Sequence, residues 1–167
     1  MATKSIFRDS FGYGYSEEFP LLNISRTVGR TGKNLFDDVY LVQVLLAEIL
    51  EQSSSPSSEY PTGIFTKATD KQLEAFKIFV KNKGGKCYFG GHIDPARLGT
   101  TAFGTSNTWA IVKLNEFLNA KLSESRIDQT PLAYLSKKYS QMSFIFNEDR
   151  KSPAVGREEI GQSEPNY

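Results

Sequence analysis

The stretch Asn34-Leu35-Phe36-Asp37-Asp38-Val39-Tyr40-Leu41-Val42-Gln43-Val44-Leu45-Leu46-Ala47-Glu48-Ile49-Leu50 decides the class of fold. Asn34 is a good N-cap with Asp37 three residues on, and Val39, Val42, Leu45, Leu46 and Ile49 then recur at helical spacing. This predicts a helix over about 35–52. Upstream, Gly29-Arg30-Thr31-Gly32-Lys33 lacks the Gly-x-x-x-x-Gly-Lys-Ser/Thr spacing of a phosphate loop and has no evident strand ahead of it, so it reads as a turn into that helix. Downstream, Ser53-Ser54-Ser55-Pro56-Ser57-Ser58 has the composition of a flexible loop and ends at the turn-forming Pro61-Thr62-Gly63.

Thr66 caps a second predicted helix that runs to about Asn82, with Leu73, Phe76, Phe79 and Val80 on one face and Gly84-Gly85 as its stop. Cys87 to Pro95 reads as a loop or a short strand. A third helix starts near Thr108, and its Trp109, Ile111, Val112, Leu114, Phe117, Leu118 and Leu122 make it apolar on more than one side. That pattern predicts the central helix of the bundle, or one that also receives an arm. A shorter helix is expected from Pro131 to Tyr139, with Thr130 as cap and proline where its missing N–H does no harm. Ser143-Phe144-Ile145-Phe146 reads as a strand.

Both ends read as arms. Residues 1–25 scatter Phe7, Phe11, Tyr13, Tyr15 and Phe19 among glycines without a period of 2 or 3.6, as expected of an extended segment docked on a surface. After about Asn147 the chain is polar and broken by Pro153, Gly156, Gly161 and Pro165. The boundaries that follow are an N-terminal arm at 1–25, a helical domain at 26–122, and a short helix, a strand and an extended tail over 123–167. The helical domain is expected to fold alone.

Composition narrows the function. Of 167 residues 39% are apolar, enough for one core, and twenty Lys and Arg against nineteen Asp and Glu leave a charge of +1, which supplies no electrostatic footprint for nucleic acid. A single cysteine excludes an intrachain disulfide, and a single histidine excludes the usual multi-His or Cys/His zinc sites. No window approaches the ~20 apolar residues that span a bilayer, and the first residues lack a signal peptide's apolar core. Synthesis in the cytoplasm without a leader is therefore expected, with a final location in the cell envelope or a secreted machine.

The order of motifs resembles the peptidoglycan-binding domain family, a small three-helix module often fused to cell-wall hydrolases. Asp38-Val39-Tyr40-Leu41-Val42-Gln43-Val44-Leu45-Leu46 matches the family's first-helix pattern Asp-Val-x-x-Val-Gln-x-Leu-Leu throughout. Gly63, Phe65, Thr69, Leu73 and Phe76 fall at the spacings of its glycine turn and second helix. Gly91-His92-Ile93-Asp94-Pro95 looks like its Gly-x-Ile-Asp-Pro turn, and Trp109 to Asn115 resembles its closing helix. The resemblance covers roughly Val28 to Leu118. The family's Val-Asp-Gly turn is Pro61-Thr62-Gly63 here, its second glycine is Thr66, and the glutamine after the helix-two phenylalanine is Lys77. Those positions flank the family's ligand groove, so the resemblance speaks for the fold more than for glycan binding.

Two functions from different classes follow, neither with a cofactor. One is a binding or adaptor subunit of a larger cell-envelope or contractile-injection-type assembly, with protein partners. The other is a stand-alone peptidoglycan-binding module, in which Phe65 stacks on a sugar while Gln43 and Asn115 hydrogen-bond to glycan or stem peptide; without a leader it depends on a secretion machine. Gln43 has a structural alternative, bonding a loop carbonyl from within the helix packing. His92 beside Asp94 invites catalysis or metal binding, but no second His, cysteine pair or Gly-x-Ser-x-Gly accompanies it, so a locally bonded loop histidine is the expectation. Neighbouring Asp37-Asp38 and Glu17-Glu18 point apart, and capping explains Asp37. Cys87, next to Lys86, reads as a structural cysteine. No catalytic or metal residue is assigned.

Overall fold

A computed structural model describes residues 2–10, 16–50, 61–83, 87–88, 90–96 and 108–146. The Ser53–Ser58 loop, the Gly84-Gly85 stop, the Phe11–Tyr15 run and the tail after 147 lie outside those residues. The fold is mainly α. In chain order it comprises β1 (Thr3–Ser10), β2 (Ser16–Asn23), β3 (Val28–Gly29), α1 (Phe36–Leu50), α2 (Lys67–Asn82), β4 (Cys87–Tyr88), β5 (His92–Ile93), β6 (Thr108–Trp109), α3 (Ala110–Glu124), α4 (Pro131–Lys138) and α5 (Met142–Ile145).

The central helix is α1, not α3. Every residue from Asp38 to Leu50 is buried. The reason is in the sequence: Leu41, Val44 and Ala47 fill the face opposite Val39, Val42 and Leu46, so the helix has no solvent side to offer. α2, α3 and β3 surround it, and α4 packs on α3. Phe76 of α2 meets Phe117 of α3 edge-on at 6.3 Å, and Phe79 meets the same ring at 4.9 Å.

α2 begins as its sequence dictates: Thr69 N–H donates to the Thr66 hydroxyl at 3.2 Å, and the Thr66 N–H donates back to Thr69 Oγ1 at 3.3 Å, a closed capping box. Thr130 caps α4 in the same way through the Ala133 N–H. Asn34 does not cap α1. It sits at φ 49°, and its amide accepts from Gly29 N–H and donates to the Gly29 and Gly32 carbonyls, closing the turn ahead of the helix. Asp37 and Asp38 stand in the first turn of α1, where negative charge suits the helix dipole.

Three further expectations are corrected. Thr108 and Trp109 belong to β6, parallel to β4, and α3 starts at Ala110. Residues 142–145 form one helical turn with Met142 and Ile145 buried, because those two, three apart, reach the core together only in a helix. The N-terminal arm is an antiparallel ribbon, β1 with β2, in register from Thr3 opposite Asn23 to Ser10 opposite Ser16. Its last residues are core, with Leu21, Leu22 and Ile24 all buried.

Candidate functional site

The three residues expected to hold a ligand do not converge on one. Gln43 is buried, and its amide donates to the Ile64 carbonyl at 3.0 Å and to Thr69 Oγ1 at 2.9 Å. Its Oε1 accepts from the Thr62 and Gly63 N–H groups at 2.9 and 2.8 Å. All four bonding positions of the amide are used to fix the turn at 62–64 onto α1 and α2. Gly63 is required there: its φ is 75°, and a Cβ would strike the Phe36 ring. Phe65 follows the turn, half-buried against the core. Leu35, Phe36 and Ile64 are exposed.

Asn115 works elsewhere. Its Oδ1 accepts from Leu22 N–H at 2.9 Å while its Nδ2 donates to the Leu22 carbonyl at 3.0 Å and to Ile111 O at 2.8 Å. The side chain thus replaces a neighbouring strand for one residue of β2 and anchors the ribbon to α3. Asn23 does the same for Ala96, accepting its N–H at 3.0 Å and donating to its carbonyl at 2.9 Å.

A cluster with no counterpart in the sequence reading surrounds Glu48, whose side chain is wholly buried. Lys121 reaches Oε2 at 2.7 Å and the Glu48 carbonyl at 2.8 Å, Lys138 reaches Oε1 at 2.7 Å, and the hydroxyls of Tyr139 and Tyr134 donate at 2.7 and 3.1 Å. Burial alone pushes this carboxyl up, but the hydrogen bonds from Lys121, Lys138 and Tyr139, with the Lys121 charge, outweigh it and bring the pKa from 4.5 to about 2. Its partners bind α3, α4 and Tyr139 to α1, which makes the cluster structural. The only sequence signal was a glutamate in the otherwise apolar last two turns of α1.

The sequence motifs at 29–33 and 91–95 meet. β3 pairs with β5, Val28 opposite Ile93 and Gly29 opposite His92, and Gly29 leaves no room for a Cβ against His92. Asp94 then receives the Thr27 hydroxyl at 2.7 Å and lies 3.2 Å from His92 Nε2. Asp38, fully buried, accepts from Ser25 N–H, Ser25 Oγ and Arg26 N–H, each at 2.9 Å, and so shapes the other side of the loop. Between these pieces opens a cleft of about 340 Å³, with Arg26, Thr27, Lys33, Asp94, Pro95 and Trp109 on its walls. The cleft combines charge, hydroxyls and an aromatic ring.

Among the described residues no group of three or more His, Cys, Asp or Glu side chains is placed to hold a metal ion. No helix among them is long and apolar enough to cross a membrane. The Cys87 side chain lies outside what the structure describes. Comparison with protein-family models, curated proteins and solved structures finds no match for this chain.

Proposed function

We propose that the chain is a non-catalytic, peptidoglycan-binding-like protein that serves as a binding or adaptor subunit of a larger cell-envelope or contractile-injection-type assembly. The observation that carries this reading is the β1–β2 ribbon. Each strand has eight residues, and among the described residues each has only the other as a sheet neighbour. A lone two-stranded ribbon is marginal in water, and its outer edges offer backbone donors and acceptors to a further strand. Asn115 roots it on the bundle, so a partner strand added to the ribbon is held in a defined position.

A tagged full-length chain purified from its native cells is expected to bring down defined protein partners in fixed ratio, and a variant lacking residues 3–20 to lose them. Retention on insoluble peptidoglycan with no protein partner overturns this reading. It would favour the second one, a stand-alone wall-binding module delivered by a secretion machine, to which the Trp109 cleft lends support.

A further inference from the structure

We infer that the partner strand adds to the outer edge of β1 and not to that of β2, as an extended protein segment with no proline at the alternate positions that face β1. This rests on the adaptor reading and specifies the edge, the atoms and the kind of segment which that reading requires.

Two observations fix which way each residue of the ribbon turns its backbone groups. In an antiparallel pair, opposed residues alternate between those that exchange both backbone bonds and those whose N–H and C=O point away from each other. Leu22 donates its N–H to Asn115 and accepts from Asn115 at its C=O, so it is of the second kind, together with Lys4 opposite it. Counted in twos from there, Ile6–Pro20, Arg8–Glu18 and Ser10–Ser16 also turn their backbone groups outward, while Ser5–Leu21, Phe7–Phe19 and Asp9–Glu17 bond across the ribbon. Pro20 fits the same alternation independently. It has no N–H, and the count sets it where the ribbon needs none.

The two edges are therefore unequal. On β2, Leu22 is closed by Asn115, α3 packs against the strand, and Pro20 offers an acceptor without a donor, which leaves Ser16 and Glu18. On β1 the outward row is unbroken: Lys4, Ile6, Arg8 and Ser10 each present an N–H and a C=O, and among the described residues no third strand pairs with them. At ~3.4 Å per residue this row is about 20 Å long, which a segment of about seven extended residues matches. It recognises main chain, so the partner must bring free N–H and C=O groups at the same spacing. A helix has none to give, and a proline at a facing position removes a donor.

The test follows amide exchange by residue in the purified full chain and in its complex isolated from native cells. In the free chain Ser5, Phe7 and Asp9 should exchange more slowly than Lys4, Ile6 and Arg8; equal rates overturn the alternation. In the complex Lys4, Ile6 and Arg8 should slow by about tenfold or more, with Glu18 unchanged. Ile6→Pro removes an outward donor and no ribbon bond, as Pro20 opposite it already does, and Glu18→Pro does the same on β2. The first should reduce recovery of the partner about tenfold or more and the second should keep it. Unchanged exchange at Ser5 and Phe7 shows that the ribbon survives Ile6→Pro; where it does not survive, the protection pattern of the wild-type complex decides. The inference is overturned, and the adaptor reading stands, if the amides that slow are those of Ser16 and Glu18, if Ile6→Pro with an intact ribbon keeps the partner, or if Glu18→Pro loses as much. Self-association of the purified chain that protects Lys4, Ile6 and Arg8 overturns it in favour of a second copy on this edge. A wild-type chain that brings down no partner removes the adaptor reading, and the inference falls with it.

Discussion

In the first half of α1, Asp38 and Gln43 bond to groups 12 to 26 positions away, mostly main-chain N–H and carbonyl groups of two turns. In the second half, Glu48 bonds to side chains 73 to 91 positions away. Both halves bury polar groups in an apolar helix, and Asp38, Gln43 and Glu48 all find partners. They differ in what is secured. The first half shapes loops, including the loop that lines the Trp109 cleft; the second closes the bundle by drawing α4 and its flanks onto α1. The first depends on amide and carboxylate bonds to backbone, the second on charge, so the two ends should respond differently to truncation and to acid.

The largest effect should come from removing most of what the second half reaches, together with the N-terminal arm. A fragment of residues 26–122 keeps the partners of Gln43 but loses Lys138, Tyr134 and Tyr139. It also loses the buried Leu21, Leu22, Ile24, Leu135, Met142 and Ile145. At roughly 1.5–3 kcal/mol for each large apolar side chain, the loss is as large as the ~5–15 kcal/mol by which domains are stable. The fragment should melt without cooperativity in calorimetry, while residues 2–146 should melt as the full chain does. A sharp transition for 26–122 near the full chain's temperature would show that the long-range half is dispensable.

Glu48→Gln comes next. It keeps the shape and removes the charge that Lys121 and Lys138 face, and the depressed pKa implies a loss on the order of 3 kcal/mol at neutral pH. The pH dependence has a definite sign. A carboxyl held below its unfolded value stabilises the fold above that value and stops doing so as the pH falls through the folded one. Glu48 therefore contributes fully above about 4.5 and loses its contribution between about 4.5 and about 2. Melting curves of the wild type should fall across that window by more than those of Glu48→Gln. Parallel curves would remove the cluster from the account of stability.

The same contrast explains what could be read from the chain. The Thr66 and Thr130 caps and the helix spans were legible because each cap acts on a residue only three positions on. Gln43's structural option was legible because a glutamine flanked by core leucines has few other uses. Glu48 was not, since no pattern in the sequence joins it to Lys121, Lys138 and Tyr139. The ribbon was missed because the sequences of β1 and β2 lack strict alternation of apolar and polar residues. The cleft was half visible: Gly29 to Lys33 and Gly91 to Pro95 stood out as turns, but only the β3–β5 pairing sets them side by side.

Gln43→Ala should give the smallest of the three effects, and it bears on the site as well as the fold. The substitution leaves the N–H of Gly63 buried without its acceptor, whereas the exposed Thr62 can turn to water. One buried donor left unsatisfied costs about 1–3 kcal/mol, less than the loss at Glu48 and with no acid dependence of its own. Hydrogen exchange should quicken at Thr62 and Gly63 and stay unchanged at Leu22, whose partner Asn115 is untouched. Were Gln43 a groove residue waiting for glycan, alanine would leave stability unaltered and only weaken binding. Gln43 and Glu48 share no partner and lie about 7.5 Å apart along the helix axis, so the double variant should cost the sum of the singles within ~0.5 kcal/mol. A larger departure from additivity would mean that α1 transmits strain between its ends and that its two halves are one polar system.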